Sequence, residues 1–88
     1  MGGYKIILKP SVEKDLRKIP EPIIQRIFEH IEGLVSNPFP HQSIKLTGGD
    51  AFYRIRVGDY RLVYEVDTED KQIIIQYIRH HREVYRSL

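Results

Sequence analysis

Cysteine is absent from all 88 residues, which excludes disulfide bridges, zinc–thiolate clusters, iron–sulfur sites and thiol nucleophiles together. A reducing compartment is thereby permitted, and a cytoplasmic location is the expectation. No apolar run approaches the roughly 18 residues that suggest a membrane span, and no long apolar leader core follows Met1. No membrane partner is expected. Charge of one sign is not in excess either. Fourteen Lys and Arg against twelve Asp and Glu leave +2, a balance ordinary for a soluble domain and weak evidence for nucleic acid. The short length leaves no room for a second core, so residues 1–88 are expected to form a single domain. With 41% hydrophobic and 30% charged residues, the chain has the composition of a folded protein.

Arginine, by contrast, is placed unevenly. Arg54, Arg56, Arg61, Arg79, Arg82 and Arg86 all follow Asp50, whereas lysine dominates the basic residues before it. A guanidinium fork binds a phosphate bidentately, while an ammonium acts mainly as a point charge. The C-terminal half therefore suits geometric recognition of oxyanions. The alternative is a sheet face that simply carries solvated arginines.

The pattern along the chain predicts an α+β fold. Residues 4–9 (YKIILK) form a strand candidate ended by Pro10, and Ser11 is a potential cap for a helix whose Val12, Leu16 and Ile19 fall on one stripe. Pro20 and Pro22 interrupt that pattern, and Pro22 fits the first turn of a second helix of about 14 residues. There Ile23, Ile24, Ile27, Phe28, Ile31, Leu34 and Val35 recur at steps of three and four, which makes a broad apolar face. The NPFP run at 37–40 cannot extend the helix and opens a connection to about residue 50, with Gly48-Gly49 suited to a tight turn. Residues 51–57, 60–67 and 72–79 then read as three strands of an antiparallel meander, split by the hairpin signal Gly58-Asp59 and by residues 68–71. With the N-terminal strand added, the expectation is a four-stranded, mainly antiparallel sheet with an N-terminal helical hairpin on one face. Alternation in 52–57 sends Tyr53, Ile55 and Val57 toward the hairpin and Phe52, Arg54 and Arg56 to the open face.

No metal ligand set stands out. On an extended strand the adjacent His80 and His81 would diverge, and His30 and His41 belong to other segments without acidic ligand motifs. The serines form no nucleophile elbow, and Gly48-Gly49 lacks the lysine and Ser/Thr of a phosphate-binding loop. No cofactor is expected. What remains is arginine, histidine and tyrosine around residues 54–61 and 79–85, which is suitable material for RNA: arginine binds phosphate, tyrosine stacks on bases, and imidazole exchanges protons near neutral pH. Tyr60 and Tyr64 also fit plain sheet packing, and a single histidine is more often a surface residue than a catalyst.

The order of strand, helical hairpin and NP connection, followed by YRIRVGDYRLVY at 53–64 and HHREVYR at 80–86, resembles the RelE/ParE superfamily of type II toxins. Lys45-Leu46 and the VYR of residues 84–86 reinforce the likeness, which spans nearly the whole chain. It implies one of two activities. RelE-branch members are ribosome-dependent messenger RNA endonucleases neutralised by a cognate antitoxin, whereas ParE-like members poison DNA gyrase. An inactive nucleic-acid-binding relative is a further alternative. The resemblance places basic site residues at Arg54, Arg56 and Arg61, a C-terminal arginine at His81 or Arg82, and a stacking tyrosine at Tyr85. Well-studied active patterns carry lysines where this chain has Arg54-x-Arg56, and the usual HRR is His80-His81-Arg82. Arginine is a poor general base, so His81 or His80 is the expected proton carrier and the arginines the expected phosphate ligands.

Overall fold

The computed structural model describes residues 3–47 and 51–81. The Gly48-Gly49 turn, and the segment with Arg82 and Tyr85, lie outside the described residues. Seven elements follow one another: β1 (Lys5–Leu8), α1 (Pro10–Leu16), α2 (Glu21–Ser36), β2 (Ile44–Lys45), β3 (Phe52–Val57), β4 (Tyr60–Asp67) and β5 (Gln72–His80). No helix among the described residues is long and apolar enough to cross a membrane.

Proline sets both helix starts. Pro10 occupies the first turn of α1, where the N–H it lacks would have no helical partner. The cap position therefore falls on Lys9, which makes no side-chain capping bond. Ser11 lies inside the helix and is not the cap the sequence suggested. Pro22 has the same place in α2, which runs for 16 residues and buries Ile27, Ile31 and Leu34 at helical spacing. Val12 of α1 and Ile19 just beyond it join the same core.

The sheet order is β1-β5-β4-β3-β2, with β1 parallel to β5 and the remaining pairs antiparallel. It has five strands, not the four expected. The extra strand is β2, whose Ile44 and Lys45 pair with Arg54 and Tyr53. Two residues are too short to show an alternating pattern, so only the pairing reveals them. Ile55, Val57, Leu62, Tyr64, Val66, Ile73, Ile75 and Ile78 form the sheet's side of the core under the helices. Val57 pairs directly with Tyr60, leaving Gly58-Asp59 as a two-residue turn in which Gly58 takes φ +60°, a conformation costly for residues with a Cβ.

A register shift in β5 positions the site. Tyr64 pairs with Ile75 but Val63 pairs with Tyr77, so Gln76 is an extra residue in the ladder. Strict alternation from Ile73 would carry Tyr77 and Arg79 into the core. After the bulge, Ile78 is buried instead, and Tyr77 and Arg79 stand opposite Val63 and Arg61 on the other face.

Candidate active site

Three arginines form one row across the open face. Arg56 pairs with Arg61 across β3 and β4, and Arg61 pairs with Arg79 across β4 and β5. Arg54 lies on the same face two residues along β3, opposite Val63. Ile55 and Val57, between and beside these arginines, are buried in the core, and Tyr53 packs partly against it. The alternation expected for β3 therefore holds, with Arg56 exposed and Arg54 half-buried.

Arg61 is different. Only 7% of its surface is accessible. Its central place explains the burial, because an arginine-bearing strand flanks it on either side. Like charges directly opposite one another destabilise a sheet, and a buried cation needs a counter-charge. Among the described residues none of the four arginines is ion-paired. Arg56 Nε donates to the Gly58 carbonyl at 3.0 Å, Arg61 Nη1 reaches the Tyr60 carbonyl at 3.5 Å, and the Arg79 guanidinium lies 4.7 Å from the Tyr77 ring centroid. Those contacts orient the guanidinium groups and leave their charge uncompensated. Chemically, such a row can hold an oxyanion.

The histidines stand at the same end of the sheet. The His81 N–H donates to the Asp59 carbonyl at 2.8 Å, which ties the end of β5 to the turn that also receives Arg56. His80 pairs with Tyr60 in the ladder, and their rings meet edge to face at 5.4 Å. The two imidazoles do not diverge as expected of an extended strand. β5 ends at His80, so the alternation stops, and the rings stack with centroids 4.9 Å apart. Arg82 and Tyr85 are outside the described residues. Arg79, by contrast, is a member of the row that the sequence-derived site left out. Its register depends on the bulge, which no local pattern announced.

Among the described residues no group of three or more His, Asp or Glu side chains could hold a metal ion. One further tyrosine is structural. The Tyr64 hydroxyl donates to the Pro38 carbonyl at 3.0 Å, and its ring stacks on Tyr53, which in turn meets Phe39 edge to face at 5.1 Å. This cluster holds the NPFP connection against the sheet. Burial pushes the Tyr64 phenol up to about 12, with the neighbouring Tyr53 adding to the rise and the Ser43 hydroxyl opposing it.

Residues 6–85 match the family described as the ParE toxin of the type II toxin–antitoxin system parDE. The chain belongs to that toxin family. Within it the likeness is to RelE proteins. The putative toxin RelE1 of Methanocaldococcus jannaschii is 32% identical over 87 residues, covering 96% of this chain and 97% of that protein. The toxin in the archaeal RelE–RelB complex of Pyrococcus horikoshii OT3 is 32% identical, with a TM-score of 0.80 over 89% of this chain and 94% of that one. The RelB–RelE complex from Methanococcus jannaschii gives 29% identity and a TM-score of 0.80, over 93% and 98% of the two chains. This toxin is therefore of the RelE branch, that of the ribosome-dependent messenger RNA endoribonucleases.

Proposed function

We propose that the arginine row binds the scissile phosphate of messenger RNA on the ribosome, and that cleavage proceeds by attack of the adjacent ribose 2′-hydroxyl. A bond forms between the 2′-oxygen and phosphorus, the bond from phosphorus to the 5′-oxygen breaks, and the 2′-hydroxyl proton passes to a base. The 5′-oxygen leaves with a proton from an acid or against strong polarisation of the phosphate. Charge accumulates on the phosphoryl oxygens in the transition state, where fixed guanidinium groups act most strongly. The observation that carries this reading is Arg61, a buried cation set between two other cations without a carboxylate partner among the described residues. Such an arrangement is unfavourable in the free protein and becomes favourable once an anion enters.

In this mechanism Arg54, Arg56 and Arg61 neutralise the phosphate, with Arg79 completing the row. His81 or His80 accepts the 2′-hydroxyl proton, the stacked partner ring shares in protonating the leaving oxygen, and Arg82 polarises the phosphate. Tyr85 stacks on a neighbouring base. The Pyrococcus and Methanococcus relatives were solved in complex with RelB, which supports a cognate antitoxin as partner here. An antitoxin segment bearing acidic and apolar side chains would complement the arginine face, and Ile44, 53% exposed beside Arg54 in the register, offers an apolar contact. Single-turnover cleavage on programmed ribosomes tests the reading. Arg61→Ala should slow cleavage by ~10²-fold or more, and Arg56→Ala should weaken it in the same direction. A parent that cleaves while both variants match its rate would overturn the role given to the row.

A further inference from the structure

A second concavity adjoins the arginine row on the opposite side of β5. β1 ends at Leu8, which pairs with Ile75, so β5 continues to His80 with no strand on that flank among the described residues. α1 takes over the edge there. The Ile78 N–H donates to Asp15 Oδ2 at 3.1 Å, an unpaired strand donor satisfied by a helix side chain. Between the end of α1 and the sheet lies a cavity of about 360 Å³, lined by Asp15, Lys18, Ile19, Tyr60, Ile78, Arg79 and His80.

The lining divides by chemistry. Ile19 and Ile78 give a buried apolar floor. Tyr60 and His80, edge to face at 5.4 Å, supply aromatic surface. Lys18 is cationic and exposed at the rim, and Asp15 is committed to the strand edge. Apolar floor, aromatic wall and a lysine at the rim are together the requirements of a nucleotide: a ring to stack and a phosphate to contact. The volume lies within the range of small-ligand pockets. Arg79 links the two places, bordering this cavity while its guanidinium stands on the open face over Tyr77 and beside Arg61 in the row.

We infer that this cavity is a nucleotide subsite for the residue next to the scissile phosphate, reached where the RNA strand leaves the arginine row at Arg79 and passes the His80 end of β5. The inference rests on the reading of the row as the scissile-phosphate site. Lys18 would contact the outer phosphate, and Tyr60 with His80 would hold the base.

Non-cleavable 2′-O-methyl oligonucleotides test this on the full chain, with binding followed by amide chemical shifts. A dinucleotide spanning one phosphate measures the row alone, and trinucleotides extended at the 5′ or the 3′ end add the subsite. One of the two extensions should bind about tenfold more tightly than the dinucleotide and shift the amides of Lys18 and Tyr60. Lys18→Glu, at an exposed position outside the core, should remove most of that gain and leave dinucleotide binding unchanged. If neither extension tightens binding while the dinucleotide still binds in an Arg61-dependent way, the subsite is wrong and the row stands. If the dinucleotide itself binds with no dependence on Arg56 or Arg61, the reading of the row fails and the subsite with it.

Discussion

Arg56 and Arg61 stand directly opposite one another on β3 and β4, and no carboxylate among the described residues pairs with either. Opposed like charges weaken a sheet, and a buried cation adds a desolvation penalty. The free protein therefore holds, in these two residues, an unfavourable interaction that the proposed binding of an anionic substrate would relieve. Sites of this kind commonly trade stability for activity.

Replacing Arg61 by methionine keeps most of the volume and removes the buried charge. Arg61→Met should raise the unfolding free energy by about 1 kcal/mol while cleavage falls steeply. Chemical denaturation and ribosome cleavage on the same preparation check both halves. A variant less stable than the parent would show that Arg61 is held favourably in the free fold.

Anions should stabilise the parent. Phosphate at about 100 times its dissociation constant would add about 2.7 kcal/mol if it binds only the folded state, seen as a higher melting temperature. Arg56→Ala should lose most of this gain. RNA or ribosome association should weaken as salt rises, because bound phosphates release counterions.

Tyr64→Phe removes the donor to the Pro38 carbonyl and leaves that acceptor buried, a change expected to destabilise the fold by about 1–3 kcal/mol. The parent also has a signature at high pH. Its Tyr64 phenol is raised from 10.0 to about 12, so the stabilising, protonated form is fully present below pH 10. Between pH 10 and 12 the unfolded chain releases this proton while the folded chain keeps it, and stability falls as pH rises. Denaturation midpoints across that window should decline less in Tyr64→Phe than in the parent.

His81→Ala or His80→Ala should slow single-turnover cleavage by ~10²-fold or more if that imidazole transfers the proton. Free imidazole should restore part of the rate to the responsible variant. Single and double variants that keep the parental rate would remove histidine from the mechanism.

Several features were legible in the residues alone because each rests on local chemistry. Pro22 marked the start of the second helix, the stripe of Ile27, Ile31 and Leu34 marked a buried helix face, and Gly58-Asp59 marked the hairpin. Alternation in 52–57 separated Ile55 and Val57 from Arg54 and Arg56, and the string YRIRVGDYRLVY carried the family likeness. Other features depend on pairing between distant segments, to which local patterns are blind. The strand Ile44–Lys45 exists only because Tyr53 and Arg54 lie beside it. His80 and His81 stack because β5 ends between them. Arg79 joins Arg61 only through the extra residue at Gln76, which reverses the facing of everything beyond it in β5. Apart from β2, the sequence by itself determined the elements and the cationic chemistry they carry. Tertiary structure decided which cations face one another, because in a sheet that choice belongs to the register between strands.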